Sequence, residues 1–316
     1  MKKIVVVGPG AVGCLFAGML SRCGEVWLLD HDPARAKRIV SQGGIFCEGM
    51  ETWNAKVPVT AETGDIGTAD LIIMCTKSFH TGEALMHARS LIGEQTTVLS
   101  VQNGIGNVEL IHKIVGEERT VAGVTHQAAV LKGEGRIQHT FNGPTVIGAL
   151  KNKRAEEQAK KIKTLLTKAG MKVKVSDNIS GLLWSKLIIN AGINALSAVT
   201  CLENGGLLEC QEARGVMAAA VEEAARVAKR KRIQLLYADP VKQVVLACRN
   251  FRYNRSSMLQ DVLKKKRTEI DFINGVIVAE GRKYKIATPV NETLLRLVKT
   301  LEQTYALRVE GQRQTF

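Results

Sequence analysis

The 316-residue sequence predicts an α/β protein in two parts. Residues 1–177 read as a doubly wound sheet, and residues 178–316 as an all-α domain. Three observations carry this. Short apolar strands alternate with helical runs through the first half, as in a parallel sheet covered by helices. A G-x-G-x-x-G stretch sits between the first strand and the first helix. After Asp177 nearly every segment has a 3.6-residue period.

In chain order, "KIVVVG" (3–8) reads as a buried strand. "AVGCLFAGMLSRCG" (11–24) has helical spacing and stops at a glycine. "EVWLLD" (25–30) is a second strand, and "PARAKRIVSQ" (33–42) opens a helix with proline at its first position. "DLIIMCT" (70–76) and "TTVLSVQ" (96–102) are short, apolar and β-branched, as central parallel strands are. A hairpin is expected over 120–150, where glycines separate short β runs. "RAEEQAKKIKTLLTKAG" (154–170) is an amphipathic helix, followed by a last strand in "MKVKVS" (171–176). The helical half contains segments at 179–199, 211–232, 239–250, 257–266, 268–281 and 290–307. Thr288 and Pro289 read as the cap and first residue of the last of these.

Composition narrows the class. Hydrophobic residues make up 45% of the chain, enough for packed cores, while the formal charge of +14 points to an anionic partner. The cations cluster at Lys229-Arg230-Lys231-Arg232 and Lys264-Lys265-Lys266-Arg267, both in segments of helical period. Neither run contains the aromatics that stack on nucleic-acid bases, so solvated helix faces are the expected reading and a nucleic-acid partner is not. Seven cysteines at wide spacings, with no C-x-x-C, match neither a disulfide framework nor a zinc site. A reducing, cytoplasmic compartment and no metal are expected. No apolar run of transmembrane length is free of charge, so no membrane span is expected.

The glycine loop is Gly8-Pro9-Gly10-Ala11-Val12-Gly13. Its first glycine makes a tight turn and its second lets backbone approach a pyrophosphate. The third packs the helix against the strand, with the helix N-terminus facing the anion. The flanking strands and Asp30 at the end of the second one make a Rossmann-type dinucleotide site the expected function of this stretch. A carboxylate at position 30 suits the ribose of NAD. NADP needs a cation there, and His31, Arg35, Lys37 and Arg38 are near enough in sequence to supply one.

Two polar islands and one polar stripe stand out elsewhere. "VQNGIGN" (101–107) ends an apolar strand with Asn103, where ligands of open α/β sheets sit. An ordinary strand-to-helix turn explains it equally. "WSKLIINAGINAL" (184–196) is apolar nearly all round, yet places Lys186, Asn190 and Asn194 along one stripe. A buried ammonium is costly unless it is paired or faces a wet cleft. "NRSSMLQDVLKKKRTEIDFING" (254–275) holds Asn254, Ser256, Ser257, Glu269 and Asp271. Either serine can cap a helix starting near Met258, and Glu269 can be a first-turn acid.

Taken together and in order, these residues resemble the ketopantoate reductase family. The resemblance rests on "GPGAVG", Thr76-Lys77, the "QNG" at 102–104 and "WSKLIINAGINAL". It continues through "C-x-x-N-G" from Cys201 to Gly205, "SSMLQD" (256–261), "TEIDFINGVIV" (268–278) and "ATPVNETL" (287–294). It implies a Rossmann domain joined to a helical one, with the active site in the cleft between them. It further implies Lys186 as general acid, Glu269 as the acidic active-site residue, and Asn190 and Asn194 beside the substrate. Asn204, Asn254 and Ser257 match positions that hold the substrate's carboxylate and hydroxyl, and Lys77, Asn103 and Ala129 match cofactor contacts.

The implied reaction reduces 2-dehydropantoate with NADPH. Many members carry arginine after the second strand, however, where this chain has His31 between Asp30 and Asp32, which keeps NAD open. An NAD-linked dehydrogenase of another branched 2-oxo acid is the nearest alternative. A non-catalytic dinucleotide-binding regulator is a remote one, since it has no need of the polar stripe. A homodimer through the helical half is compatible with the sequence, but no seam in it demands one.

Overall fold

In the computed structural model residues 1–308 are described, so positions 309–316 of the expected helical domain lie outside the described residues. The chain folds as two compact units, Met1–Leu183 and a second beginning at Trp184.

The first unit runs β1 (Lys3–Val7), α1 (Ala11–Leu20), β2 (Glu25–Leu29), α2 (Pro33–Ser41), β3 (Ile45–Gly49), β4 (Trp53–Ala55) and β5 (Val59–Thr60). It continues with β6 (Ala69–Met74), α3 (Thr81–His87), β7 (Ile92–Ser100), α4 (Asn107–Val115), β8 (Thr120–Gly133), β9 (Arg136–Gly148), α5 (Lys153–Lys168) and β10 (Val173–Val175). Among the described residues these strands form one sheet in the order β4-β3-β9-β8-β7-β6-β1-β2-β5, with β10 beside β9. The sheet from β5 through β2, β1, β6 and β7 to β8 is parallel. It is mixed beyond that, because β9 folds back antiparallel on β8 and β4 on β3. The sequence reading passed over β3, β4 and β5. They are two to five residues long and broken by Gly49, Glu51 and Pro58, too short to show a period.

β1 shows why the sheet is covered on both faces. Ile4 and Val6 pack with Leu15 and Phe16 of α1, while Val5 and Val7 pack with Leu85 of α3 and Ile111 of α4. A strand buried on both sides needs an uninterrupted apolar run, which "IVVV" is. The strand order reverses at β1, with β2 on one side and β6 on the other. Ligands of open α/β sheets bind beyond the carboxyl ends of the strands at such a reversal.

The other helices are α6 (Ile179–Thr200), α7 (Gly206–Glu209), α8 (Gln211–Arg230), α9 (Pro240–Asn250), α10 (Ser257–Leu263), α11 (Asn274–Tyr284) and α12 (Pro289–Gln303). The Asn178 side chain accepts the Gly181 N–H at 3.0 Å and starts α6. Ile179 in its first turn packs with Val108 and Ala122, so the first turn of α6 belongs to the first compact unit. By length and composition α6 alone among the described helices could cross a membrane, but 72% of its most apolar window is buried in the protein, as in a core helix.

Three local expectations change. Thr288 makes no side-chain cap on α12. The Glu223 carboxylate of α8 takes that role, accepting the N–H groups of Val290 and Asn291 at 2.9 Å each. The segment 268–281 is not one helix: a 3₁₀ turn at Ile270–Phe272 precedes α11. The run Lys264–Arg267 lies past the end of α10, with Lys265 at φ +52°, and is exposed throughout.

Candidate active site

In the first unit, the turn from β1 into α1 places the glycine loop at the strand-order reversal. Gly8 has φ +102°, and a Cβ there would lie 2.8 Å from Thr76 Cγ2. A Cβ on Gly13 would lie 1.9 Å from the Gly8 carbonyl oxygen. Those two glycines are required by the fold itself. Gly10 differs: a Cβ there meets nothing within 4 Å. It is the N-cap of α1 and has no side chain to bond the first N–H groups, so Pro9, Gly10, Ala11 and Val12 present open backbone at a helix N-terminus. The residues present fit a pyrophosphate.

The end of β6 is tied to the end of β7 by a polar network. Gln102 Nε2 donates to the Thr76 carbonyl at 3.0 Å and to Thr81 Oγ1 at 2.7 Å. Ser78 Oγ and Asn107 Nδ2 both donate to the Asn103 carbonyl, at 2.6 and 2.9 Å. This fixes the backbone of Asn103 and keeps Lys77 at the head of the turn before α3. Gln102, which the sequence reading saw only as part of the "QNG" run, is a buried positioning group, as are Ser78, Thr81 and Asn107, which it did not single out. Their only signal was the clustering of polar residues at two strand ends. Ala129 lies half-buried on β8, packed against the core that holds α1.

Asp30 sits at the end of β2, as expected, but its carboxylate is fully buried. It accepts the N–H groups of His31 and Asp32, at 2.7 and 3.1 Å, and is held in a two-point pair by the Arg35 guanidinium. Arg38 is likewise paired with Glu134, at 2.6 and 2.8 Å. His31 and Arg38 are the exposed members of this group.

In the second unit, the apolar residues of α6, among them Leu187, Ile188, Ala191 and Ala195, are buried. Lys186 and Asn190 are half-buried and Asn194 is buried. Burial pushes the Lys186 ammonium down to about 8, while the Glu269 carboxylate favours the charged form. Glu269 is itself buried, at the turn before α11. The stripe continues through Ser197, whose hydroxyl donates to the Asn194 carbonyl and shares a 2.5 Å hydrogen bond with the Ser256 hydroxyl. Ser256 caps α10 by accepting the Leu259 N–H at 3.1 Å, which leaves Ser257 exposed. The Asn204 N–H donates to the Asn254 carbonyl at 3.0 Å, so these two loops run side by side. Asn204 is buried, yet its Oδ1 has no hydrogen-bond partner. A buried amide oxygen left unbonded is a position for a ligand's donor.

Behind α6 lies a network that sequence reading missed. Asn274 Nδ2 donates to the Ala191 carbonyl and to Asn291 Oδ1, and Asn291 Nδ2 donates to Glu223. It fixes α6 against α8, α11 and α12. No group of His, Cys, Asp or Glu suited to a metal ion occurs among the described residues.

Comparison with known proteins also finds two parts. Residues 4–152 match the family described as ketopantoate reductase PanE/ApbA, and residues 178–302 match its C-terminal domain. The chain belongs to the ketopantoate reductase family. A 2-dehydropantoate 2-reductase of Pyrococcus horikoshii is 35% identical over 302 residues, covering 95% of this chain and 97% of that protein. One from Lactococcus lactis is 33% identical, with 95% and 98% covered. Among solved structures, a PanE/ApbA family ketopantoate reductase from Ralstonia eutropha superposes with a TM-score of 0.88 at 31% identity, covering 96% of this chain and all of that one. A D-mandelate dehydrogenase, solved with NADH and anilino(oxo)acetate, reaches 0.89 at the same identity and coverage.

Proposed function

We propose that this protein is an oxidoreductase that reduces 2-dehydropantoate to pantoate in pantothenate synthesis, using a reduced nicotinamide dinucleotide. The observation that carries the reading is the Lys186–Glu269 pair on a helix stripe that also bears Asn190 and Asn194. Family membership and the relatives named 2-dehydropantoate 2-reductase support it.

The residues act as follows. Gly8 to Gly13 and the start of α1 hold the pyrophosphate, and Lys77, Asn103 and Ala129 contribute further cofactor contacts. Reduced nicotinamide, when bound, supplies the hydride. Lys186 holds the proton that the new hydroxyl requires. An ammonium near 8 is mostly charged at neutral pH yet gives up its proton far more readily than an ordinary lysine. Glu269 keeps that proton on the amine until it is needed. Asn190, Asn194, Asn204, Asn254 and Ser257 orient the 2-oxo acid with neutral groups, which are cheaper to desolvate than charges.

The expected dinucleotide is NADPH, as for the family. A second reading, an NAD-linked dehydrogenase of another branched 2-oxo acid, is favoured by one observation, the equal likeness to D-mandelate dehydrogenase. Initial rates of reduced-nicotinamide oxidation with 2-dehydropantoate, run with NADPH and NADH in parallel, separate the two. Rapid turnover is expected. No turnover with either dinucleotide, alongside turnover of a different 2-oxo acid, would replace the first reading by the second.

A further inference from the structure

Glu269 stands where an irregular segment enters the second unit. Residues 263–267 are exposed and Lys265 has φ +52°, whereas Thr268, Glu269 and Ile270 are buried. The chain passes from solvent to interior in one step, between the end of α10 and the 3₁₀ turn before α11. No strand or long helix holds the backbone at that point. The Glu269 side chain does not steady it, since it makes no cap on the turn that follows.

The support comes from α12. Lys299, Glu302 and Tyr305 are spaced three residues apart along the end of α12 and the short turn after it, so they share one side. Lys299 Nζ donates to Asp271 Oδ1 at 2.8 Å, the Glu302 carboxylate accepts the Thr268 N–H at 2.6 Å, and the Tyr305 hydroxyl donates to the Lys266 carbonyl at 2.9 Å. These points bracket Glu269 on both sides. The Glu302 bond is the most telling of the three. Its donor is the backbone N–H next to Glu269, on a buried residue whose N–H must be paired. A charged acceptor makes that bond short and strong. The Lys299–Asp271 pair is half-exposed and contributes less.

The other end of α12 reaches the lysine's helix. Asn291, in the first turn of α12, accepts from Asn274 Nδ2, which also donates to the Ala191 carbonyl of α6. Both members of the Lys186–Glu269 pair are thus tied to one helix that carries neither of them.

We propose that α12 is the frame that sets where Glu269 stands against Lys186, and that Glu302 is the positioning residue at the Glu269 end. The inference rests on the reductase reading above. Glu302 acts through Glu269 and needs no contact with substrate or cofactor. Charge coupling weakens with distance, so a Glu269 released from its tether supports the Lys186 ammonium less well.

The test compares wild type, Glu302→Ala, Glu302→Gln, Glu302→Asp, Glu269→Gln and the double variant Glu302→Ala/Glu269→Gln. The first readout needs no turnover: the pH dependence of Lys186 acetylation by acetic anhydride, followed by peptide mass. The wild-type midpoint is expected near 8, where burial and the Glu269 carboxylate hold it. Glu302→Ala should move it down, toward that of Glu269→Gln. Glu302→Gln keeps an oxygen for the Thr268 N–H and should stay at the wild-type midpoint. Glu302→Asp keeps the charge but falls one methylene short, so it should also shift down; it serves if Glu302→Ala does not fold. The second readout is kcat with 2-dehydropantoate. Glu302→Ala should lose about two- to fivefold at pH 8 and converge with the wild type near pH 6. The double variant should be no slower than Glu269→Gln alone, because the two residues act in series. Wild-type midpoints for both Glu302→Ala and Glu302→Asp, or losses that multiply in the double variant, would overturn the proposal. Absence of turnover in the wild type would overturn the reductase reading instead, and the acetylation profiles would still decide the role of Glu302.

Discussion

Replacing Glu269 with glutamine removes the carboxylate that keeps the proton on Lys186 and leaves the shape of the site nearly unchanged. In the wild type the lysine is held at about 8, with burial pushing down and Glu269 pulling up. If the ammonium donates the proton, kcat falls above that value, by about tenfold per pH unit. An opposite charge at short range is worth at least about one pH unit, so the alkaline limb of Glu269→Gln should centre near pH 7 or below. At pH 8 the charged fraction then drops from about a half to about a tenth, a fivefold loss of rate. At about pH 6 the two enzymes should converge, because both lysines are charged. The assay is kcat against pH at saturating 2-dehydropantoate and dinucleotide. Coincident limbs for the two enzymes would refute the Coulombic role of Glu269. A wild-type limb near the ordinary lysine value would refute Lys186 as a buried donor.

Other consequences are as specific. Lys186→Met should change the pH dependence of stability. A lysine at about 8 when folded and 10.5 when unfolded binds fewer protons in the folded state between those values, so stability rises with pH across that window. Urea denaturation should show the wild type gaining up to about 3 kcal/mol on the variant between the two pH values. Gly10→Ala should unfold within about 0.5 kcal/mol of the wild type, since its methyl meets no protein atom, yet bind dinucleotide at least about tenfold more weakly. Equal affinity would remove the loop from the cofactor site. Ser256→Ala should cost about 1 kcal/mol through loss of the α10 cap. Ser257→Ala should leave stability unchanged and raise KM for the 2-oxo acid, and an unchanged KM would remove Ser257 from substrate binding.

The sequence was most legible where one residue does one local job. β1, β2, α1 and α2 follow from apolar runs, helical spacing and a proline at a helix start, although α1 ends at Leu20, four residues before the glycine expected to stop it. The polar stripe on α6 was visible because three residues repeat at helical spacing on an apolar background. Legibility failed where a partner is distant in the chain. Thr288 has every local mark of a cap, but the Glu223 carboxylate, 65 positions earlier in the numbering, reaches the same N–H groups first. Asp30 has the local mark of a ribose acceptor, but Arg35, in the first turn of α2, claims it. Spacing reports which groups share a face, and it does not report which of them have already been neutralised.

That distinction bears on the lysine as well. A helix as apolar as α6 would be more stable without Lys186, because burial works against its charge. The fold opposes that cost at two places. Glu269 supplies a counter-charge, and the Asn274–Asn291–Glu223 network anchors α6 one turn further on, at the Ala191 carbonyl. Three buried polar side chains joined behind α6, which also cap α12 and bond the Ala220 carbonyl, make little sense as packing alone, since apolar residues of similar size would fill the space. They make sense if the position of the lysine along α6 must be fixed more tightly than apolar contacts fix it, as a proton donor's must.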